Sequence, residues 1–136
     1  MADRFLETKF HIPPWRAGGV IRPRLLDQLQ AGLIEQRKLT LVSAPAGYGK
    51  TTLITSWLYS FTESTRSIWL SLEKSDNELA RFLSYWAAAW NRISDFALEN
   101  ILELLDAPQL PPFQNILDEI INTLALLEEP IILVLD

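Results

Sequence analysis

The sequence predicts an α/β domain built around a mainly parallel sheet. Strand-like apolar runs alternate with helical apolar stripes along the chain, which is typical of βαβ units. A glycine-rich loop joins the first strand to a helix, and the last six residues form a continuous apolar run of the kind found in buried parallel strands. The length of 136 residues fits one domain, and 49% hydrophobic with 21% charged residues is ordinary globular composition.

The first half of the chain contains the elements on either side of the glycine-rich loop. Residues 1–20 are predicted to be irregular, because Pro13-Pro14 and Gly18-Gly19 interrupt helices and strands. Pro23 suits a first helical turn, and the leucines after it recur at helical spacing. The predicted elements are a helix from Pro23, a strand over residues 39–43, a loop over residues 44–49 and a helix from Lys50.

The second half alternates strands and helices. Ser75 and Glu78 have the spacing of a capping box, which predicts a helix start there. The tryptophans of this half lie at helical or strand spacing, which favours core packing over a base-stacking role. The predicted elements are a strand over residues 67–72, a helix over residues 79–93, a weaker helix over residues 95–105, a helix over residues 113–127 and a strand over residues 131–136.

The composition excludes several classes of site. Twelve Lys and Arg against seventeen Asp and Glu give a net charge of −5, whereas nucleic-acid modules usually carry a basic surplus. With no cysteine and one histidine, the chain has no disulfide scaffold, no Cys-ligated zinc site and no thiol nucleophile. Its apolar runs are far shorter than the ~20 residues of a membrane span, and no signal-peptide core is present. We therefore expect a cytoplasmic protein without a membrane partner.

Residues 43–52, with the sequence SAPAGYGKTT, carry the chemistry. They lie between a predicted strand and a predicted helix, which is the context of a phosphate-binding P-loop. Glycines allow successive backbone N–H groups to point inward, and the helix N-terminus adds partial positive charge. Lys50 supplies a cation for the outer phosphates, the Thr51 hydroxyl can ligate Mg²⁺, and Thr52 can donate to an inner phosphate.

The loop departs from the full pattern G-x-x-x-x-G-K-[ST] at one position, because Ala44 stands where the first glycine is expected. Gly47 can supply a positive φ within the loop. The alternative interpretation is a glycine-rich turn that only joins a strand to a helix, but such a turn does not need Lys50, Thr51 and Thr52.

The final strand ends in an acid, Asp136, at its carboxyl end. Several apolar residues followed by Asp match the Walker B pattern, whose carboxylate helps to hold Mg²⁺. Because ligands of open α/β sheets bind beyond the carboxyl ends of the strands, we expect this chain to be a fragment of a longer protein. The alternative is that Asp136 is a true terminus on an edge strand.

These motifs together resemble the large ATP-binding regulators of MalT type, which belong to the STAND class of signal-transduction ATPases and are often LuxR-type transcription activators. The resemblance runs the whole length of the chain. It is carried by residues 9–13, 21–25, 40–53 with Trp57, 68–73 with Asp76-Asn77 and Arg81-Phe82, and 131–136.

The resemblance implies a module that binds ADP at rest and ATP in an active, self-associating state. It implies a slow ATPase in the full-length protein and DNA binding through a domain absent here, and we expect the fragment alone to be inactive. Residues 1–22 would be an arm that contacts the nucleotide, and residues 23–136 part of the P-loop NTPase domain. Nucleotide contacts are assigned to Ile21, Arg22, Ala46, Gly47, Tyr48, Gly49, Lys50, Thr51 and Thr52, metal contacts to Thr51 and Asp136, and catalytic roles to Lys50 and Asp136.

The implied fold is the three-layer α/β/α P-loop NTPase, incomplete because it stops after the Walker B strand. In this branch of P-loop proteins a later strand lies between the Walker A and Walker B strands. Without that strand the sheet has unpaired N–H and C=O groups at its centre. We therefore predict that these 136 residues alone are unstable or aggregate.

Two other functions remain open at this point. A phosphoryl-transfer enzyme of another P-loop type would need a substrate lid, for which the sequence offers no candidate. A degenerate P-loop kept as an interaction scaffold would not need Lys50, Thr51 and Asp136 together. Glu73 and Asp76 could orient a water molecule or a neighbouring subunit, but a capping role for Asp76 explains that residue equally well.

Overall fold

The computed structural model describes residues 5–15, 19–61, 66–93 and 98–136. The chain divides into two compact units, one made of Met1–His11 with Thr65–Asp136 and the other of Ile12–Ser64. The smaller unit holds helices α1 (Pro23–Ile34) and α2 (Lys50–Tyr59). The larger unit holds strands β1 (Arg66–Leu70) and β2 (Ile131–Leu135) and helices α3 (Leu79–Asn91), α4 (Glu99–Asp106) and α5 (Phe113–Leu124).

In the smaller unit, α1 and α2 begin where the sequence predicts. Pro23 occupies the first turn of α1, where its missing N–H costs no hydrogen bond. The two helices are joined through the Trp57 indole N–H, which donates to the Gln30 side-chain oxygen at 3.2 Å. Trp57 is buried and packs edge-to-face on Phe61, with 5.0 Å between ring centroids, so it serves the core as predicted.

The predicted strand over residues 39–43 is wrong for the described structure. These residues have no helix or ladder assignment, and the described residues contain one sheet, which joins β1 to β2. Leu39 and Leu41 are each 85% exposed. A strand needs a neighbour for its N–H and C=O groups. The apolar alternation predicts an extended conformation, but no described segment pairs with it.

In the larger unit, β1 and β2 form a parallel pair. The register aligns Arg66 with Ile131 and Leu70 with Leu135. Trp69 and Leu70 of β1 are buried, at 1% and 0% exposed. The final strand, predicted to be buried, is only half-buried in the structure, and Leu135 is 46% exposed, because the described sheet gives β2 a single strand neighbour. Helices α3, α4 and α5 contribute the rest of the core through residues that include Leu83, Tyr85, Trp90, Ile101, Ile116 and Ile120.

Helix boundaries in this unit shift by a few residues from those predicted. Helix α3 covers Leu79–Asn91 and so begins at the predicted residue and ends two residues before the predicted end. The Ser75–Glu78 capping box is wrong, because residues 74–77 form a separate 3-10 helix, whose capping box is Glu73 with Asp76. Helix α5 ends at Leu124, three residues before the predicted end at Leu127. Residues 95–97 of the predicted weaker helix lie outside the described residues, and α4 covers the remainder from Glu99.

The segment Phe5–His11, predicted to be irregular, contains a 3-10 helix over Glu7–Phe10 and packs on β1 and α3. The Phe5 ring meets Tyr85 edge-to-face, with 5.0 Å between centroids, and Phe10 is 7% exposed. Its aromatic side chains bury enough apolar surface to hold a short segment without regular secondary structure of its own. Among the described residues no helix combines the length and apolarity that crossing a membrane requires.

Candidate functional site

The loop before α2 is shaped by two glycines in the left-handed region. Gly47 has a φ of +85° and Gly49 a φ of +82°. The Tyr48 N–H donates to the Pro45 carbonyl at 3.3 Å, which closes a turn between them. Glycine adopts such conformations without steric cost, so the sequence GYG is what permits this loop to reverse into the helix.

Helix α2 begins at Lys50, and its N-terminus faces the loop. Gly49 is the N-cap and offers no side chain to accept from the first helical N–H groups. The first intrahelical bond runs from Leu53 N–H to the Gly49 carbonyl at 2.9 Å. The N–H groups of a first helical turn and the positive end of the helix dipole therefore point into the loop, an arrangement that attracts phosphate.

The Lys50 ammonium lies over this loop and donates a hydrogen bond to the Ala44 carbonyl. The side chain thus spans the loop from its end to its beginning. Among the described residues Gln36 is the one non-glycine with a positive φ, so Ala44 has an ordinary backbone conformation. Alanine therefore fits the first motif position without strain.

A cavity of about 550 Å³ opens beside the loop, within the range typical of small-molecule sites. Its described lining includes three cationic side chains, Arg22, Arg37 and Lys50, and no Asp or Glu. In a chain with a net charge of −5, this concentrates positive charge where an anion would bind. Ser43, Tyr48 and Gly49 also line the cavity.

Arg22 and Ile21, both predicted to contact the nucleotide, differ in position. One guanidinium nitrogen of Arg22 is 3.9 Å from the place where a Cβ on Gly49 would stand, so Arg22 lies at the loop. Ile21 is 63% exposed and is not among the cavity-lining residues. The sequence pattern does not indicate Arg37 as a site residue, because only the turn after α1 brings its side chain back to the cavity.

Asp136 belongs to the other unit, at the carboxyl end of β2. Its N–H donates to the Leu70 carbonyl at 3.0 Å, and its carbonyl accepts from Leu72 N–H at 2.7 Å. The backbone pairing of the two strands thus continues to the acid itself. The loop residues and Arg22 lie together in Ile12–Ser64, whereas Asp136 is held by the sheet of the larger unit.

The donor set proposed for the metal consists of hard oxygens, one hydroxyl at Thr51 and one carboxylate at Asp136. Within the described ranges no group of three or more His, Cys, Asp and Glu side chains is placed to hold an ion. Mg²⁺ usually keeps several waters and takes one or two protein oxygens plus phosphates. These residues fit that mode of binding rather than an all-protein cage.

Asp76 has a structural environment. Its carboxylate is 4% exposed and accepts from Lys9 Nζ at 2.5 Å, Glu73 N–H at 2.7 Å and Arg81 Nε at 3.2 Å. Burial acts to raise the pKa of Asp76, but the hydrogen bonds from Lys9 and Glu73 outweigh it, so the pKa lies below its ordinary value. Three donors on one buried carboxylate favour a structural role over the orientation of water.

Comparison with known proteins places this site in a family. The family description AAA domain matches residues 7–136. The chain is 31% identical over 132 residues to the HTH-type transcriptional regulator MalT of Vibrio parahaemolyticus, covering 97% of this chain and 14% of that protein. It is 40% identical over 84 residues to MalT of Yersinia enterocolitica, covering 62% of this chain and 9% of that protein.

The match extends from the N-terminal segment to Asp136, and the chain spans about one seventh of the length of the Vibrio relative. The predicted fold class is confirmed as an incomplete α/β P-loop fold, with helices and a small parallel sheet. The chain belongs to the AAA domain family and is an ATP-binding P-loop module similar to part of the MalT regulators.

Proposed function

We propose that this module binds ATP and ADP with Mg²⁺ and gates a transcriptional regulator by the identity of the bound nucleotide. The observation that carries the proposal is the loop with Gly47 and Gly49 at positive φ, which leads into α2 under the Lys50 ammonium. The cavity beside it gathers three cations and, among its described lining, no acid. This combination suits a polyphosphate better than a neutral ligand.

Each predicted site residue has a role in this proposal. Residues 46–52 wrap the phosphates with backbone N–H groups, and Lys50 neutralises charge on the outer ones. Thr51 and Asp136 would hold Mg²⁺, which supplies charge neutralisation between the phosphates when it is bound. Arg22 and Ile21, at the end of an arm over residues 1–22, contact the nucleotide, and residues 23–136 form the P-loop part.

The wider function rests on the relatives. Proteins similar to this chain are named HTH-type transcriptional regulators, so we assign DNA binding to a part of the protein outside this chain. ATP would favour a self-associating state, because contacts to the γ-phosphate are what distinguish ATP from ADP. Slow hydrolysis in the full-length protein would return it to the ADP state. A cytoplasmic location follows from this role.

Lys50→Ala tests the site. We expect ATP affinity, measured by calorimetry on the intact protein that carries this module, to fall roughly 10- to 100-fold, the value of a charge-assisted contact of about 1.5–3 kcal/mol. Lys38→Ala is the matched control, since Lys38 is exposed in the same unit and does not line the cavity. Unchanged affinity in Lys50→Ala, with a normal thermal transition, would refute the assignment.

A further inference from the structure

The carboxyl end of β1 is hydrogen-bonded on both of its edges. On one edge, Asp136 N–H donates to the Leu70 carbonyl and Leu72 N–H donates to the Asp136 carbonyl, at 3.0 and 2.7 Å. Ser71 lies between them, and in an extended strand its N–H points to the opposite edge. There it donates to the Lys9 carbonyl at 2.9 Å. The N-terminal segment and Asp136 are therefore held by consecutive residues of one strand end.

Lys9 is fixed by its side chain as well as by its backbone. The side chain is 3% exposed, and its ammonium lies 2.5 Å from Asp76 Oδ2 and 4.7 Å from the centre of the Tyr85 ring. The same Asp76 oxygen accepts from Glu73 N–H at 2.7 Å. One carboxylate thus ties Lys9 to the chain that leaves β1, two residues beyond Ser71.

A buried ion pair of this kind gains little stability over an apolar pair of equal volume, because both charges lose their hydration. Its clearer effect is geometric, since the charged hydrogen bonds allow only one arrangement of the groups they join. Here that arrangement fixes residues 71–73, and with them Leu70 and Leu72, which pair with Asp136 through their backbones.

We infer that Lys9 is a positioning residue for the Asp136 carboxylate, acting through Asp76 and the backbone of residues 70–73. The inference rests on the proposed function, because it takes Asp136 as a Mg²⁺ ligand. Lys9 does not contact the nucleotide in this account. It holds the end of β1 rigid, so that the acid at the end of β2 has one position from which to bind the metal.

The test uses the intact protein and Lys9→Met, which keeps the stem and removes the charge. We expect the Mg²⁺ concentration that half-maximally supports ATP binding to rise about tenfold. Loss of a residue that orients a metal ligand typically lowers metal affinity by about 10- to 100-fold, and Lys9 acts indirectly. ATP affinity without metal should stay within about twofold, because the phosphates bind to the loop before α2. Lys9→Arg should restore the Mg²⁺ midpoint.

A matched control comes from the same segment. Glu7 pairs with Arg92 through side chains that are 58% and 42% exposed, so Glu7→Gln removes an ion pair of the segment without touching the buried one. We expect the wild-type Mg²⁺ midpoint in Glu7→Gln. A rise equal to that of Lys9→Met would mean that any loosening of the segment suffices, and would overturn the role given to Lys9.

Amide hydrogen exchange gives a second readout that general destabilisation would not reproduce. In Lys9→Met, the amides of Ser71, Leu72 and Asp136 should exchange faster, while that of the buried Ile68, which faces β2 in the middle of the ladder, keeps its protection. Uniformly faster exchange would overturn the inference in favour of a purely structural role. If Lys9→Met does not fold, Lys9→Gln carries the same measurements, because it keeps a hydrogen-bond donor.

The outcomes separate the two proposals. Normal metal-free ATP binding with an unchanged Mg²⁺ midpoint in Lys9→Met would overturn this inference alone. Failure of the unsubstituted protein to bind ATP would overturn the proposed function, and the inference with it.

Discussion

At the scale of single residues, Gly47, Gly49 and Lys50 give the site its shape. Both glycines have φ values that side chains with a Cβ rarely adopt, and Lys50 follows directly at the start of α2. The spacing of the motif is therefore a backbone requirement as much as a chemical one. Gly32 offers a contrast, because it lies inside α1, where a glycine is unfavourable relative to alanine.

Gly49→Ala should weaken nucleotide binding through backbone strain. A Cβ there would meet an Arg22 nitrogen at 3.9 Å, an ordinary contact, so the cost arises from the φ of +82° and amounts to about 1–2 kcal/mol. Gly32→Ala is the control with the opposite sign, since its Cβ meets nothing closer than 3.6 Å and it should stabilise by about 0.5–1 kcal/mol. Thermal unfolding and ATP titration of the intact protein that carries this module measure both variants. Equal effects of Gly49→Ala and Gly32→Ala would contradict the strain assigned to Gly49.

Asp76→Ala should be strongly destabilising, because it leaves the Lys9 ammonium buried without its counter-ion, next to the void left by the removed carboxylate. We expect a loss of about 3–5 kcal/mol in urea unfolding of the intact protein that carries this module, against less than ~1 kcal/mol for the exposed pair removed by Glu7→Gln. A loss in Asp76→Ala no larger than that of the control would contradict the structural role of the buried pair.

The same carboxylate predicts a pH dependence. Because the folded pKa of Asp76 lies below its unfolded value of 3.8, its contribution to stability is complete above that value and is lost as the pH falls through the folded pKa. The unfolding free energy of the intact protein, measured from pH 6 down to pH 2 at about half-unit steps, should fall below about pH 4, and this fall should be smaller in Asp76→Ala. Identical acid profiles in the two proteins would contradict the assignment.

At the scale of elements, the end of α1 determines where Arg37 lies. The Arg37 N–H donates to the Gly32 carbonyl at 2.9 Å and the Gln36 N–H to the Leu33 carbonyl at 3.1 Å, which is a Schellman motif. Gln36 occupies its left-handed position with a φ of 58°, where glycine is the usual residue. The turn returns the chain toward the cavity, so a helix end contributes one of its three cations.

Gln36→Gly should raise stability, because glycine relieves the left-handed strain at the end of α1. The expected gain is up to about 1 kcal/mol, partly offset by the greater freedom of glycine in the unfolded chain. Thermal unfolding of the intact protein that carries this module measures the gain. Lys38→Gly, at an exposed position outside the helix, is the control for the effect of glycine on the unfolded chain. Gln30→Gly is unsuitable as a control, because the Gln30 side chain accepts a hydrogen bond from Trp57. A loss of stability in Gln36→Gly would show that the Gln36 side chain makes a contribution beyond its backbone geometry.

At the scale of the whole molecule, several large apolar side chains of the described residues are exposed. Leu39 and Leu41 are 85% exposed in a segment without a described strand partner, and Val20, Ile34 and Leu126 are 75%, 72% and 80% exposed. Unpaired backbone beside exposed leucines favours association with other chains.

We therefore predict that the 136 residues on their own aggregate or unfold without a cooperative transition. Size-exclusion chromatography with differential scanning calorimetry tests this, and Leu39→Lys with Leu41→Lys should improve solubility by placing charge on the unpaired segment. A soluble monomer with a cooperative thermal transition would contradict the prediction.

The sequence by itself determined the loop, the start of α2 and the positions of β1 and β2, because each depends on residues close together in the chain. Glycines set the φ values of the loop, Lys50 follows at a fixed spacing, and the continuous apolar run Ile131–Leu135 is a strand. The burial of that strand is not a local property, and β2 is only half-buried. The helix boundaries were accurate to within a few residues for the same reason.

Only the tertiary structure decided which distant groups meet. Lys9 and Asp76 are 67 positions apart, and neither residue by itself indicates the other. Residues 39–43 have the pattern of a strand, yet pairing depends on a partner that local sequence does not specify. Backbone preference is a local property, whereas burial, ion pairing and strand pairing are long-range ones. The sequence therefore identifies the residues of the phosphate loop, and the fold identifies the residues that hold its surroundings in place.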